Sequence, residues 1–157
     1  MWIGLLIGIT FVLDQLSKYY VKDTMELGQS IPVISDFVRM TYIENPGIAF
    51  GIRIGNGMLF TILSVLVSVG ICVYLFTHRN EPKTIRLSLS IVLGGAFGNL
   101  ADRILFGHVV DFVDVGIGSM RWPVFNVADA AVVIGMVILF LHLFIIDVKK
   151  KEEVQEA

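Results

Sequence analysis

The sequence predicts an all-α membrane protein, with four transmembrane helices and a small β-rich segment on the outer surface. Three observations carry that expectation. Hydrophobic side chains make up 55% of the 157 residues and charged ones only 17%, below the roughly 25% charge of an ordinary soluble domain. The mean hydropathy is +0.79. The apolar residues are gathered into four stretches, and each, counted with its flanks, approaches the about 20 residues at 1.5 Å rise that cross roughly 30 Å of hydrocarbon. The expected spans are 2–20, 57–77, 85–105 and 127–147, within one integral-membrane domain of residues 1–157, because no repeat and no low-complexity linker divides the chain.

The first span starts with an uncharged run from Met1 to Leu13 and continues through Asp14 and Lys18 to Tyr20. It lacks a basic leader and is followed by no small-residue cleavage pattern, so it reads as a retained helix and not as a cleaved signal. The second runs from Met58 to Phe76 without a charge and holds the only cysteine, Cys72. One cysteine allows no intrachain disulfide and no Cys-rich metal site, and Cys72 is expected as a small apolar packing residue. In the third span Ser90, Gly94 and Gly98 recur every four residues with Gly95 beside them, the spacing that lets membrane helices approach closely. The fourth, from Ala130 to Ile146, contains only His142 as a titratable group, and the charged tail after it reads as solvated. Between the first two spans, residues 30–54 are rich in β-branched and aromatic side chains with partial alternation, which predicts short strands with a turn at Asn45-Pro46-Gly47. Such a segment has sheet edges that lipid cannot satisfy, so it is expected to rest at the interface over the helix mouths.

Orientation follows from the short loops. Arg79, Lys83 and Arg86 crowd the second connection and Lys149, Lys150 and Lys151 follow the last span, whereas the stretch from Val21 to Asn56 holds only Lys22, Arg39 and Arg53. The excess of basic residues puts both termini and the middle loop in the cytoplasm and the first and third connections outside. The net charge of −2 offers no basic field for nucleic acid.

Ionisable and amide groups inside spans are costly and each is a functional candidate. Asp14 and Lys18 are four apart on one helix face, and can pair as a structural ion pair near the outer interface with Lys18 snorkelling. Asn99, Asp102 and Arg103 share a face of the third span; the last two can simply end it at headgroup level, while Asn99 lies deeper. Asp111 reads alone as a turn carboxylate paired with Arg103 or His108. Asn126 and Asp129 have the spacing of a helix cap, with Asp129 closing a capping box. Taken together, Asp111 and Asp129 flank one outward loop between consecutive spans and can meet at one mouth. Two close carboxylates cannot both ionise easily, so one keeps a proton. One is then a general base on water and the other a donor to a carbonyl oxygen, which is the chemistry of an aspartic peptidase. His78, His108 and His142 are scattered, too few for a catalytic zinc site, so no metal or other cofactor is expected.

The stretches DQLSK, ENPGIAFG, GGAFGNLADR, VVDF and FNVAD, in this order, resemble the lipoprotein signal peptidases, the bacterial type II signal peptidases. The resemblance implies a multi-pass aspartic endopeptidase of the bacterial cytoplasmic (inner) membrane with its active site at the outer face. Its substrate would be a diacylglyceryl-modified prolipoprotein in the phospholipid bilayer, cut just before the lipidated cysteine, and globomycin-type cyclic depsipeptides would inhibit it. On the family pattern the catalytic pair maps to Asp111 and Asp129. Asp14, Lys18, Asn45, Gly47, Asn99, Asp102, Arg103 and Asn126 fall in the family's other motifs, as substrate-binding or supporting residues. A rival reading, a small transporter using Asp14, Lys18, Asn99, Asp102 and Arg103 as an ion path, conflicts with the clustering of these groups toward one face of the membrane. A scaffold without chemistry leaves the two outer carboxylates without a purpose.

Overall fold

A computed structural model describes residues 2–49, 52–53 and 58–155. Among these residues are four helices, α1 (Trp2–Thr24), α2 (Met58–Thr77), α3 (Lys83–Phe106) and α4 (Val127–Gln155), with strands β1 (Ser30–Ile34), β2 (Val38–Asn45), β3 (Ile48–Ala49) and β4 (Ile52–Arg53) between α1 and α2, and β5 (Val109–Ile117) and β6 (Met120–Arg121) between α3 and α4. Three of the four helices overrun their predicted bounds: α1 at its end, α3 at both ends, and α4 well past residue 147; α2 ends at 77 as expected. Position 57, the expected start of the second span, lies outside the described residues, as do Phe50, Gly51 and Ile54 of the expected outer segment.

The helix α3 is central and packs against α1, α2 and α4. Its small residues are the reason. A Cβ at Gly94 would meet Thr10 and the Ile7 carbonyl of α1, and one at Gly95 would collide with the Ala128 carbonyl of α4. Gly98 faces both neighbours, with the Asp14 carboxylate and the Ala128 methyl against it. The predicted small face is therefore where three helices converge. The helix ends where Gly107 adopts φ +77°, and its N–H caps the Arg103 carbonyl, a left-handed stop that glycine adopts without a Cβ penalty.

Apolar side chains point outward. Leu63, Leu66 and Val69 of α2 and Val133, Val137, Phe140 and Phe144 of α4 are exposed, whereas Thr10, Asp14 and Lys18 of α1 are buried with Leu5, Ile9, Leu13 and Leu16 of the same helix outside. That inversion is what a lipid solvent demands. Among the described residues three helices, α2, α3 and α4 up to Ile146, are long and apolar enough to cross a membrane; α1, which carries Asp14, Gln15 and Lys18, is not among them. Cys72, expected to pack inside, lies exposed on α2, because the buried face of that helix is narrow.

The β-rich part exceeds the expectation. Strands β1, β2, β5 and β6 form one four-stranded sheet in that order, with every pair antiparallel, and β3 and β4 form a separate two-stranded antiparallel sheet. Residues 109–121, read in sequence as a bare loop, supply two of the four strands. The β2–β5 register pairs Asn45 with Val109 and Ile43 with Asp111. Phe125, just ahead of α4, bridges to Val113, its carbonyl accepting the Val113 N–H at 2.7 Å and its N–H donating to the Val113 carbonyl at 3.0 Å. Thus β5 is locked beside the start of α4. A small core of Val21, Met25, Tyr42, Val110 and Phe112 seats the sheet on the end of α1. Each such buried side chain contributes about 1.5–3 kcal/mol.

Candidate active site

The site is built around one buried ammonium. Lys18 Nζ contacts Asp14 Oδ2 at 2.8 Å and Asp102 Oδ2 at 3.0 Å, and donates to Asn99 Oδ1 at 3.0 Å. Three donors meet three acceptors, so the charge is fully satisfied. Lys18 does not snorkel, as the sequence had suggested. It is 2% exposed and Asp14 is 0% exposed, because the glycines of α3 admit α1 so closely that the polar face is sealed inside. The two carboxylates then reach other elements. Asp14 Oδ1 accepts the Ala128 N–H of the first turn of α4 at 2.8 Å, and Asp102 Oδ2 accepts the Val110 N–H of β5 at 3.2 Å. Gln15 Nε2 joins Asp14, Asp102 and the Gly98 carbonyl at 3.1–3.2 Å.

Two asparagines relay this order outward. Asn99 Oδ1 accepts from Lys18 and, at 3.1 Å, from Asn126 Nδ2. The Asn99 amide is thereby turned so that its Nδ2 donates to Asp129 Oδ1 at 2.7 Å. Asn126 Oδ1 accepts the Asp129 N–H at 2.9 Å while Asp129 Oδ2 accepts the Asn126 N–H at 3.2 Å. This is the reciprocal capping box expected from the spacing. With its oxygen used by the cap, Asn126 aims Nδ2 at Asp111 Oδ1, 2.6 Å away, with the Val110 carbonyl at 3.2 Å. Asn45 Nδ2 holds the other Asp111 oxygen at 3.0 Å, and its own oxygen accepts the Gly47 N–H at 3.0 Å. Gly47 has φ +107°, a conformation that favours glycine in this turn.

Asp111 and Asp129 open onto one cavity of about 270 Å³, lined also by Asn45, Gly47, Arg103, Phe60 and the Trp122–Phe125 segment. Burial pushes the Asp111 carboxyl up to about 6; the Asn45 bond opposes this, the Asp129 charge adds to it, and the Asn126 bond and Lys18 charge oppose it. Arg103 contributes a cation to the wall, and its Nη1 donates weakly to the Asn99 carbonyl at 3.4 Å. A neighbouring hollow of about 370 Å³ shares Asp129, Trp122 and Phe125 and runs on to Ala130, Val133 and Ile134.

All ten residues singled out in sequence, Asp14, Lys18, Asn45, Gly47, Asn99, Asp102, Arg103, Asp111, Asn126 and Asp129, therefore lie in one connected network or on its cavity. The surroundings of Asp111 differ from the expectation. It stands in β5, not in a turn, and its partners are asparagines; His108 lies against Glu44 instead, at 3.3 Å. Asp114 faces the other way, taken by Thr41 at 2.8 Å and Arg121 at 2.6 Å, since residues three apart on a strand point to opposite faces. Gln15 and the Trp122–Phe125 wall escaped the sequence reading. Gln15 sits inside DQLSK, between the two charges that drew attention, and the wall residues carry no titratable group. Among the described residues no group of three or more His, Cys, Asp or Glu is arranged to hold a metal ion.

The family model for signal peptidase (SPase) II matches residues 6–145. A lipoprotein signal peptidase of Syntrophus aciditrophicus is 44% identical over 151 residues, covering 93% of this chain and 92% of the relative. One from Moorella thermoacetica is 44% identical over 142 residues, covering 90% and 91%. Two solved structures, both of a bacterial membrane enzyme obtained by the in meso method, superpose with TM-scores of 0.80 and 0.79 at 32% and 34% identity, covering 90% of this chain and 87% and 91% of theirs. A family match over nearly the whole length, together with relatives 44% identical over most of both chains, leads to one conclusion: the chain belongs to the signal peptidase II family.

Proposed function

We propose that the protein is a membrane aspartic endopeptidase that removes the signal peptide from diacylglyceryl-modified prolipoproteins, cutting just before the lipidated cysteine, with Asp111 and Asp129 as its catalytic pair. The observation that carries this reading is the pairing itself: two carboxylates from different elements face one cavity, each held by asparagines whose amide orientation is dictated from behind. Asp129, at the amino end of α4 and facing a cavity that also holds Arg103, serves as the general base. Asp111, more deeply buried and raised to about 6, holds the shared proton. A water between them loses a proton to Asp129 as its oxygen attacks the scissile carbonyl carbon, and Asp111 gives its proton to the carbonyl oxygen. Collapse of the resulting diol returns a proton to Asp111, while Asp129 passes its proton to the leaving nitrogen. Asn45 and Gly47 border the substrate backbone, Arg103 tempers the negative charge, and Asp14, Lys18, Asn99, Asp102 and Asn126 hold the pair in place.

In this reading α1 is a fourth membrane span within a single domain. Its 23 residues at 1.5 Å rise cover about 34 Å, and it buries its polar face while presenting apolar side chains outward. The basic residues of the α2–α3 connection and the tail put both termini in the cytoplasm of a bacterium, and the cavity at the outer face of the inner membrane. A site there is reached sideways by a lipid-bearing substrate and by water from outside. Globomycin-type depsipeptides are the expected inhibitors.

The test is cleavage of a diacylglyceryl-modified prolipoprotein by purified protein in detergent micelles. Wild type releases the signal peptide, and Asp111→Asn and Asp129→Asn each abolish release while remaining folded and membrane-inserted. Cutting by either variant at the wild-type rate returns that carboxylate to a structural role.

A further inference from the structure

We propose that the two hairpin tips at the far end of the sheet are seated in the outer leaflet of the phospholipid bilayer and set the height of the Trp122–Phe125 cavity wall. This inference rests on the membrane orientation given above. The β1–β2 turn and the β5–β6 turn lie side by side, since Val38 pairs with Val115 and the Gly116 N–H donates to the Phe37 carbonyl at 3.0 Å. Together they display Ile34, Phe37, Ile117 and Met120, the last two 77% and 83% exposed. A contiguous apolar patch of this kind marks an interaction surface.

Two features commit the patch to lipid. The first is continuity. Trp122 follows β6 directly, is itself exposed, and shares a hollow with Val133 and Ile134 on the outward face of α4. The patch thus extends the lipid-facing surface of the helices, and tryptophan is the residue most at home at that boundary. The second is charge. The charged groups at this end are mutually engaged: Arg39 with Asp36 at 2.8 Å, Arg121 with Asp114 at 2.6 Å, and Arg121 Nη1 with the Asp36 carbonyl at 3.1 Å. Two carboxylates balance two guanidinium groups, leaving no net field for an acidic or basic protein partner. A neutral apolar tip with a self-paired polar collar suits a leaflet. Because Trp122 to Phe125 also wall the cavity, seating the tips fixes how far that cavity stands above the acyl chains.

Spin labels test this in the full chain. On a Cys72→Ala background, nitroxides are attached to Phe37→Cys, Ile117→Cys and Met120→Cys, with Glu26→Cys at the opposite end of the sheet as control. In phosphatidylcholine liposomes the tip labels should relax more with oxygen than with a water-soluble nickel chelate, and the Glu26 label the reverse. Tip labels as open to the nickel chelate as the control overturn the proposal. So do tip labels shielded from both reagents with spin–spin broadening at full labelling, the sign of a second copy covering the patch. The readout needs no cleavage. A protein that seats its tips but cuts no prolipoprotein sinks the peptidase reading alone, and one that cuts with its tips in water sinks only this inference.

Discussion

Replacing Asn126 separates the two functions its side chain performs. The residue is 0% exposed; its oxygen caps α4 through the Asp129 N–H and its amide holds Asp111 at 2.6 Å. In Asn126→Ala both are lost. A missing N-cap costs about 1 kcal/mol, and a buried bond to a charged group about 1.5–3 kcal/mol. Thermal unfolding in detergent should therefore report a loss of about 2.5–4 kcal/mol. The Asp111 carboxyl also loses a donor that stabilises its charged form, so its titration moves further up. If Asp111 must be protonated for cleavage, the alkaline fall in kcat/KM, expected as pH rises through about 6 in the wild type, moves to higher pH in this variant. Asn126→Ser is the discriminating partner. A serine hydroxyl can cap the helix, but it cannot also bond Asp111, so stability should recover by about 1 kcal/mol with cleavage still depressed. Full recovery of cleavage in Asn126→Ser, or an unshifted pH limb in Asn126→Ala, would refute the reasoning that this amide governs the pair.

Three further outcomes follow from the same geometry. The Asp111 carboxyl is raised in the folded protein from 3.8 to about 6, so the folded state binds the extra proton and stability declines as pH rises across that window, by at most about 3 kcal/mol. Asp111→Asn should flatten this part of a melting-temperature profile; an unchanged slope would mean the burden lies on another group. Gly98→Ala drives a methyl into the Asp14 carboxylate and toward Ala128; overpacking of this kind costs about 1–3 kcal/mol, and the variant should melt early and lose activity, whereas Gly8→Ala, which meets nothing within 4 Å, should behave as wild type. Lys18→Met strands Asp14 and Asp102 without their cation and should cost about 3–5 kcal/mol. The triple variant Lys18→Met/Asp14→Asn/Asp102→Asn should recover part of that in a chemical-denaturation measurement, and a triple variant no better than the single one would show that packing, not charge, is at stake.

Much of this site was legible because a membrane makes polar residues conspicuous. Asp14, Lys18, Asn99 and Asp102 each stand out against apolar neighbours, and their helical spacing already puts them on shared faces. The capping box of Asn126 and Asp129 is a local pattern, so it was read correctly from four consecutive residues. The sheet was harder. Strand β5 consists of VVDFVDVGI, whose alternation is broken by carboxylates on both faces, Asp111 turned to the cavity and Asp114 to Arg121. No local rule reveals that its partner is β2, more than sixty positions earlier. The error about Lys18 has the same origin: whether an ion pair faces lipid or protein depends on how near the next helix comes, and that distance was set by Gly94 and Gly98 on α3.

The glycine face and the carboxylate pair are therefore one design. A buried ammonium with two carboxylates is a poor source of net stability, because desolvation offsets the attraction. Its worth lies in direction. Lys18 engages Asn99 Oδ1, which obliges the Asn99 amide to face Asp129, and the cap engages Asn126 Oδ1, which obliges the Asn126 amide to face Asp111. Each carboxylate receives a donor it cannot turn away, and neither asparagine can flip without stranding a buried partner. Without the close approach at Gly98, α1 would stand off, Lys18 would no longer be sealed against α3, and Asn99 would be free to rotate. The small residues of α3 thus act on the two carboxylates from a distance, by deciding which atoms the asparagines are able to offer.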